Sequence, residues 1–405
     1  MKRGLLERLT EGPVLCAEGY LFELERRCHL KAGPFVPEVV LDNPEALKQV
    51  HREFLAAGSD VMEAFSYYGD EEHMKDIGRV DECEELNRQA VRLAREVAEE
   101  GDALVAGNVS NIWKRDIPDR ENRRKVQAMY EQQVQWAVEE GAEFIIAETF
   151  PLLWHAELAL QAIKRSGVPA VVTFGTHADQ SGDGHRWAYA CQVMADKGAD
   201  VVGLNCTRGP ATMWRFLEEI RETVSIPVAA LPVPYRTTEK EPTFQSFRVD
   251  GEQVFPTRLE RFLMDREEAA AFALRAREIG IEYIGLCCGA QPYHFRAMAE
   301  ALGRTPPASK YSPDFSDVIG KSLKNFVPRE EIEPLGEVEQ ALLDGWLKIE
   351  GPWGCHWIDD AGQYCNEPLS QLPSRSPYCE EHLRRSLTEA GWRHVLVRAG
   401  RFTEH

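Results

Sequence analysis

The sequence predicts an α/β fold, a (β/α)8 or TIM barrel with a small unit appended at its C-terminal end. Eight short apolar runs alternate with longer amphipathic stretches up to about residue 304. A glycine stands just before several of these runs, as in the loops that join helix to strand in repeating β/α units. Beyond that point the alternation stops. A doubly wound sheet shares the alternation and is the structural alternative, but eight units in this length favour the barrel.

The predicted strands are short and rich in Val, Ile, Leu and Ala, which is typical of parallel strands covered on both faces. The eight runs cover residues 13–17, 59–65, 103–109, 143–149, 169–174, 200–206, 227–232 and 282–288. The segment from 235 to 263 is polar and shows no helical period. We therefore expect a long loop after the seventh strand.

The stretches between the runs have helical periodicity and helix-end residues. In 43–58 the apolar residues recur at helical spacing, Asn43 is placed to cap the start, and Gly58 is placed to end the helix. Similar stretches cover 84–100, 124–140 and 265–280, the last of which opens on Asp265. The elements therefore repeat as strand and helix, as the barrel requires.

Composition restricts the classes of partner. The chain has 405 residues, with 47 Lys and Arg against 66 Asp and Glu, and its formal net charge is −19. Such a chain repels nucleic acid and anionic membranes, so small-molecule partners are expected. The N-terminal stretch has no apolar core of a secretory signal, and no run approaches 18 apolar residues. These features predict a cytoplasmic protein without a membrane span, in which cysteines stay reduced.

Three cysteines stand where predicted strands end. Cys206 ends the sixth run, and Cys287 and Cys288 end the eighth. Because TIM-barrel chemistry sits at the C-terminal ends of the strands, the three thiols are expected to meet at one rim. Three thiolates with an open fourth position form a catalytic zinc arrangement, in which the entering thiol loses its proton. The structural alternative is three small buried residues, since free cysteine is often buried.

These motifs resemble a known family. GLNC at 203–206 and GLCCGAQPYHFRAMAE at 285–300 resemble the zinc-binding motifs of homocysteine S-methyltransferases, and more narrowly those of betaine–homocysteine S-methyltransferases. The resemblance covers roughly 4–311 and includes ERLTEG at 7–12, KAGPF at 31–35 and PPASKY at 306–311. It implies a barrel with a catalytic zinc that transfers a methyl group to homocysteine, giving methionine.

The resemblance also implies substrate residues. Glu148 matches the family glutamate that holds the homocysteine amino group, and Asn205 precedes the first zinc ligand. The family carries an aspartate in a glycine-rich turn after the first strand. Here Ala17 stands at that position, so Glu18, followed by Gly19, is the candidate replacement. This change leaves open a different acceptor thiol.

Aromatic rings in the family surround the methylated ammonium by cation–π attraction. The pair Tyr67 and Tyr68 is present here, whereas Phe35 replaces the family Trp and Thr149 replaces a family Tyr. Glu63 and Ala64 replace Gln and Thr. The donor is therefore predicted as a methylated ammonium or a sulfonium, without a choice between them. A binding or regulatory protein on the same fold is the non-catalytic alternative.

The remaining residues predict a linker and helix over 312–350 and a small unit over 351–405, after a barrel domain over 1–311. Cys355, Cys365, Cys379 and His382 offer a set suited to a closed, structural zinc. So short a segment needs such a staple, which makes it a small C-terminal zinc-binding appendage. A tail with incidental cysteines is the alternative. The segment does not resemble the family's oligomer-contact region, so a homo-oligomer stays an open prediction.

Overall fold

The structure is a computed structural model that describes residues 3–312 and three strands farther along the chain. The chain divides into two units, residues 1–311 and 312–405. In the second unit the backbone forms a three-stranded antiparallel sheet of Cys355–Asp359, Trp392–Arg398 and Arg401–Phe402. Cys365, Cys379, His382 and the predicted linker and helix over 312–350 lie outside the described residues, so the zinc appendage stays a prediction.

A closed barrel of eight parallel strands forms the first unit and confirms the predicted fold. Neighbours in the chain pair with one another, and the last strand closes on the first, with Val14 opposite Tyr283. The strands β1 to β8 are Val14–Ala17, Val61–Glu63, Leu104–Ser110, Phe144–Phe150, Ala170–Gly175, Val201–Asn205, Val228–Leu231 and Tyr283–Leu286.

One main helix follows each strand. The helices α1 to α8 are Pro44–Ala57, Cys83–Ala98, Arg120–Glu139, Leu153–Ser166, Trp187–Asp196, Pro210–Thr223, Arg266–Glu278 and Pro292–Ala301. At the start of α1 the Asn43 side chain accepts a hydrogen bond from the Ala46 N–H, and Gly58 ends the helix at φ 104°. Asp265 caps α7. The helix-end residues read from the sequence therefore act as predicted.

Shorter elements fill the loops. Four short helices are Leu5–Glu11, Tyr20–Arg26, Val39–Asp42 and Glu71–Met74. Single 3-10 turns cover Lys75–Ile77, Val80–Glu82, Trp113–Arg115, Phe244–Ser246, Glu260–Phe262 and Pro307–Tyr311, and two-residue strands pair at Arg248–Val249 and Glu252–Gln253. Within the described residues, no helix is both long and apolar enough to cross a membrane.

The strand alternation separates two apolar cores. One face of every strand packs against the helices, and the other face points into the barrel. The inner core contains the side chains of Val14, Cys16, Leu104, Phe144, Ile146, Val171, Val201, Ala229 and Tyr283, with Leu5 and Leu9 from the N-terminal helix. Toward the C-terminal ends of the strands, the inward positions become polar: Glu18, Glu63, Asn108, Glu148 and Asn205. The barrel therefore has an apolar base and a polar upper layer.

The segment from 235 to 263 is a loop after β7, as predicted, but its inner side is not polar. Phe244 and Phe247 are buried, and Phe255 packs partly buried against the same core. The rings of Phe244 and Phe255 lie 5.0 Å apart edge to face. These phenylalanines are too widely spaced to form an apolar run, so no pattern in the sequence marks this apolar inner side.

Candidate active site

A cavity of about 330 Å³ opens at the C-terminal ends of the strands. Its lining contains the three predicted cysteines, the three inward glutamates and several aromatic rings. The residue just after β1 and inward positions of β2 and β4 supply the carboxylates, and the residues just after β6 and β8 supply the thiols. The residues that the sequence predicts at this rim therefore share one cavity.

The three thiols converge. The sulfur atoms of Cys206, Cys287 and Cys288 all lie within 4.8 Å of one another, and the last two are 3.9 Å apart. Cys206 and Cys287 are buried, and Cys288 is partly exposed to the cavity. Three sulfur donors at this spacing can hold one metal ion and leave one side open to the cavity.

Unusual backbone conformations fix these sulfur atoms. Cys206 and Thr207 adopt positive φ angles of 57° and 60°, which non-glycine residues rarely do. Gly289 has φ 96°, and a Cβ placed there would lie 2.3 Å from the Tyr235 hydroxyl. Backbone strain of this kind persists where the surroundings enforce it and clusters at functional sites. The glycine after the cysteine pair is therefore required for the close approach of Tyr235.

The thiols cannot all ionise on their own. The two neighbouring thiols hydrogen-bond to the Cys206 sulfur and hold the pKa of Cys206 well below its ordinary value. Burial raises the pKa of Cys287 well above its ordinary value. The pKa of Cys288 is raised too, mainly by its interaction with the Cys206 sulfur. A divalent cation among the sulfurs supplies the charge that would stabilise three thiolates together.

Two amides connect the carboxylates. The Asn108 Nδ2 donates to Glu63 Oε1 at 2.7 Å and to Glu148 Oε1 at 2.6 Å. The Asn205 Nδ2 donates to Glu148 Oε2 at 2.7 Å and to Glu18 Oε2 at 3.3 Å. Glu18 Oε1 is buried and has no hydrogen-bond partner in the described part of the chain. The carboxylates are thus positioned by neutral donors and keep capacity for a ligand.

Burial changes the protonation of these carboxylates. It raises the pKa of Glu148 to about 7, and it raises the pKa values of Glu18 and Glu63 well above their ordinary value. Repulsion from Glu148 adds to the effect on both. Among residues 3–312, no Lys or Arg lines the cavity. A bound cation would therefore pair with carboxylates that otherwise take up protons.

Aromatic rings form the walls of the cavity. Tyr67 and Tyr68 lie with their ring centroids 4.2 Å apart on one side. Phe22 and Phe35 lie 6.1 Å apart on another, and Phe22 also contacts Phe244. Burial raises the pKa of Tyr68 to about 12, so the ring stays neutral. Neutral π faces attract cations such as a methylated ammonium or sulfonium.

Comparison with known proteins agrees with this geometry. A family model for homocysteine S-methyltransferase matches residues 19–302. This chain belongs to the homocysteine S-methyltransferase family. Betaine–homocysteine S-methyltransferase 1 of Danio rerio is 37% identical over 323 residues, which cover 76% of this chain and 79% of that protein. The resemblance read from the sequence is therefore confirmed.

Related family members differ in the methyl donor that they are named for. An S-methylmethionine–homocysteine S-methyltransferase of Pongo abelii is 34% identical over 340 residues, covering 80% of this chain and 90% of that protein. The metallated form of the homocysteine methyltransferase MmuM of Escherichia coli matches with a TM-score of 0.59. That match is 19% identical, covers 72% of this chain and 98% of that one, and supports the fold alone.

The candidate acidic residue after β1 lines the cavity. Glu18 continues the inward alternation of Val14 and Cys16, whereas Ala17 packs with the outer core. Gly19 does not line the cavity. A Cβ at Gly19 would lie 2.7 Å from the Ala290 Cβ, so this glycine allows the loops after β1 and β8 to approach.

The positions that depart from the family pattern have clear placements. Thr149 lines the cavity at φ 59°, and its hydroxyl donates to Glu148 Oε2 at 3.0 Å. Its N–H donates to Asn205 Oδ1 at 2.9 Å. Phe35 and Glu63 also line the cavity. Thr149 therefore supports the carboxylate and offers no ring to a donor.

Sequence reasoning missed several cavity residues. Asn108 is inward-facing on β3, and the alternation from Leu104 and Ala106 gave a usable signal for it. Phe22 comes from the short helix Tyr20–Arg26, and Phe244 and Phe255 come from the loop after β7. In neither segment does a period mark the face that these rings present. The strand alternation could thus have predicted Asn108 as a cavity residue, but it could not have predicted the phenylalanines.

Proposed function

We propose that this chain moves a methyl group from an onium donor to the thiol of homocysteine, giving methionine. The observation that carries the proposal is the meeting of three thiols, three buried carboxylates and neutral aromatic rings in one cavity. Thiols suit a thiol-binding metal, carboxylates suit an ammonium group, and rings suit a methylated cation. Membership of the homocysteine S-methyltransferase family supports the same activity.

The acceptor would be held at two points. Oxygen atoms of Glu18 and Glu148 lie within 4.8 Å of the Cys287 sulfur. An amino acid with three carbons between its amino nitrogen and its thiol sulfur can therefore reach the carboxylates and the cysteine cluster together. The ammonium would favour ionised Glu148, whose second oxygen is already held by Asn205 and Thr149. These contacts would orient the thiol toward the aromatic part of the cavity.

The metal implied by the family is zinc, and the residues fit it. Cys206, Cys287 and Cys288 would hold the ion, because three sulfur donors at this spacing match a catalytic site with one open position. When bound, zinc lowers the pKa of a coordinated thiol and keeps its sulfur nucleophilic at neutral pH.

The transfer itself needs a dry and oriented cavity. The acceptor sulfur forms a bond to the donor's methyl carbon, while the bond from that carbon to the onium nitrogen or sulfur breaks. The electron pair stays with the leaving atom, which becomes neutral. The rings of Tyr67, Tyr68 and Phe35 would stabilise the positive charge before transfer and exclude water. Their hold would weaken once the product is neutral, which favours its release.

Isotopically labelled donors give a direct test of the proposed function. Incubation of the purified protein with homocysteine and methyl-deuterated onium donors is expected to give deuterated methionine, detected by mass spectrometry. Cys287→Ala should remove metal and turnover while keeping the circular dichroism of the native barrel. Cys191→Ala is the matched control, because Cys191 is buried on α5 and lies outside the cavity. Full methyl transfer by folded Cys287→Ala would overturn the mechanism.

The changed-acceptor alternative keeps the same chemistry with another thiol. Glu63 favours it, since this third acidic group exceeds what one ammonium requires. Comparison of homocysteine with other thiols in the labelled reaction would decide, and methionine as the main product would exclude it. The non-catalytic alternative predicts a sealed barrel mouth, whereas a cavity opens beside the three cysteines.

Further parts of the proposal concern the whole chain. We propose a cytoplasmic protein with a barrel domain over 1–311, a linker and helix over 312–350 and a zinc-binding unit over 351–405. Assembly into a homo-oligomer is left open. Two zinc ions per chain, one removed easily by a chelator and one held tightly, are expected by metal analysis. If metal analysis finds one zinc per chain and Cys287→Ala abolishes it, the prediction of a second zinc site is wrong.

A further inference from the structure

The cavity holds more acidic groups than a neutral donor would pair with. Three carboxylates line it, and Glu18, Glu63 and Glu148 are each at least nine-tenths buried. Glu18 and Glu148 lie beside Cys287, where they can pair with the acceptor's ammonium, so Glu63 is one acidic group more than the acceptor requires. Homocysteine brings one ammonium and one carboxylate, which cancel. A donor that adds a full positive charge is therefore favoured over a zwitterion.

Basic groups near the cavity are already engaged. Arg208 contacts Asp179 at 2.8 Å, and Lys114 contacts Asp76 at 2.6 Å. His177 lines the cavity, and burial lowers the pKa of its imidazole, which favours the neutral ring. Within residues 3–312 the cavity therefore presents no charged partner for an acid group on the donor.

Four phenylalanines form part of the cavity wall. Phe22 lies 6.1 Å from Phe35, 6.2 Å from Phe244 and 6.5 Å from Phe255. All four rings line the cavity. An ionised carboxylate among such rings would lose hydration without gaining a cationic partner, which is costly. An uncharged or apolar substituent fits this wall.

From the excess of carboxylates and the phenylalanine wall, we infer that the methyl donor is an onium cation without an acid group, such as a hydroxyalkyl or alkyl trimethylammonium or a trialkylsulfonium. This inference rests on the proposed function and adds the donor class to it. The reaction balances as before: the acceptor sulfur gains the methyl carbon, the C–N or C–S⁺ bond breaks, and a neutral amine or thioether leaves with the electron pair.

The test compares donors that share one methylated head. Choline, tetramethylammonium and glycine betaine are each given with homocysteine, and trimethylsulfonium is paired with dimethylsulfoniopropionate. We expect kcat/KM for each acid-free donor to exceed that of its acid-bearing partner by at least about tenfold. A preference for the acid-bearing donors would overturn the inference and leave the proposed function standing. Failure of every donor to yield methionine would overturn the proposed function instead.

Binding gives a second readout that does not need turnover. Calorimetric titration of the zinc-loaded protein with tetramethylammonium and with glycine betaine should show tighter binding of tetramethylammonium, with the same ratio of at least about tenfold. Equal or reversed affinities would contradict the charge argument even if turnover were slow.

A charge-neutral variant tests the electrostatic cause. Glu63→Gln keeps the side-chain shape and removes one carboxylate, so the preference for choline over glycine betaine should shrink several-fold. Glu252→Gln is the matched control, since the Glu252 side chain is 74% exposed and lies in the hairpin of the loop after β7. This control should keep the native ratio of kcat/KM for choline to kcat/KM for glycine betaine. An unchanged ratio in folded Glu63→Gln would refute the role of the third carboxylate.

Discussion

Substitution of Asn205 by alanine should weaken both the fold and the acceptor site, because this amide joins three site residues. Asn205 is fully buried. Its Nδ2 donates to Glu148 Oε2 at 2.7 Å and to the Thr149 hydroxyl at 2.8 Å, and its Oδ1 accepts from the Thr149 N–H at 2.9 Å. Alanine removes all of these partners together.

The magnitude follows from the groups left unpaired. A buried backbone N–H without a partner costs about 1–3 kcal/mol, and a charged acceptor that loses a hydrogen bond costs a similar amount. Glu148 can reduce the cost of its lost hydrogen bond by taking up a proton. We therefore expect a loss of about 3 kcal/mol in the free energy of unfolding. The lost donor also raises the pKa of Glu148 above its value of about 7. At pH 7 the KM for homocysteine should then rise at least about tenfold.

The assay combines urea unfolding with homocysteine saturation curves at pH 7 and at about pH 8.5. The increase in KM should be smaller at the higher pH, because Glu148 ionises again. Ser59→Ala is the control: Ser59 is a buried hydroxyl that accepts from the Ala17 N–H at 3.2 Å, near the start of β2 and outside the cavity. It should lose stability without a change in KM. If Asn205→Ala kept a native KM at pH 7, the acceptor assignment would be refuted.

Three further predictions concern the same cavity. First, kcat/KM for homocysteine should fall about tenfold per pH unit below the Glu148 pKa of about 7, since the protonated acid cannot pair with an ammonium. Because its pKa is raised on folding, Glu148 holds its proton more tightly in the folded than in the unfolded chain, so the ligand-free protein should lose stability as pH rises from 4.5 to about 7. Urea midpoints measured across that range would detect the loss. Second, Gly289→Ala should reduce metal affinity, because its Cβ would lie 2.3 Å from the Tyr235 hydroxyl; competition with a chelator measures the loss, and native metal affinity would contradict it. Third, Phe35→Trp should lower the donor KM several-fold through a stronger π face, and an unchanged KM would place Phe35 away from the donor.

The barrel could be predicted because its signals are local. The apolar runs, the glycine after α1 and the caps at Asn43 and Asp265 each act within a few residues. Strand positions were therefore predicted to within about two residues, while helix starts shifted, as at α3, which begins at Arg120 and not at 124. Loops carry no period, so the faces of their phenylalanines required the structure.

Part of the site was predictable for the same reason. The three cysteines were identified because strand ends meet at one rim, and Glu148 because a carboxylate at the end of an apolar strand needs a partner. The amide contacts of Asn108 join strands that are far apart in sequence. Nothing local in the sequence records which carboxylates an amide will connect. The network therefore emerges only when the barrel closes.

That network explains how three carboxylates remain available in a buried site. Asn108 and Asn205 donate hydrogen bonds without adding charge, so they orient Glu148 but leave its negative charge unpaired. An arginine in either place would form a fixed ion pair, hold the carboxylate pKa low and compete with the ammonium of the substrate. With neutral donors, Glu148 keeps a pKa of about 7 and changes its ionisation when a cation binds. The choice of amides over basic residues therefore makes the site selective for cationic ligands.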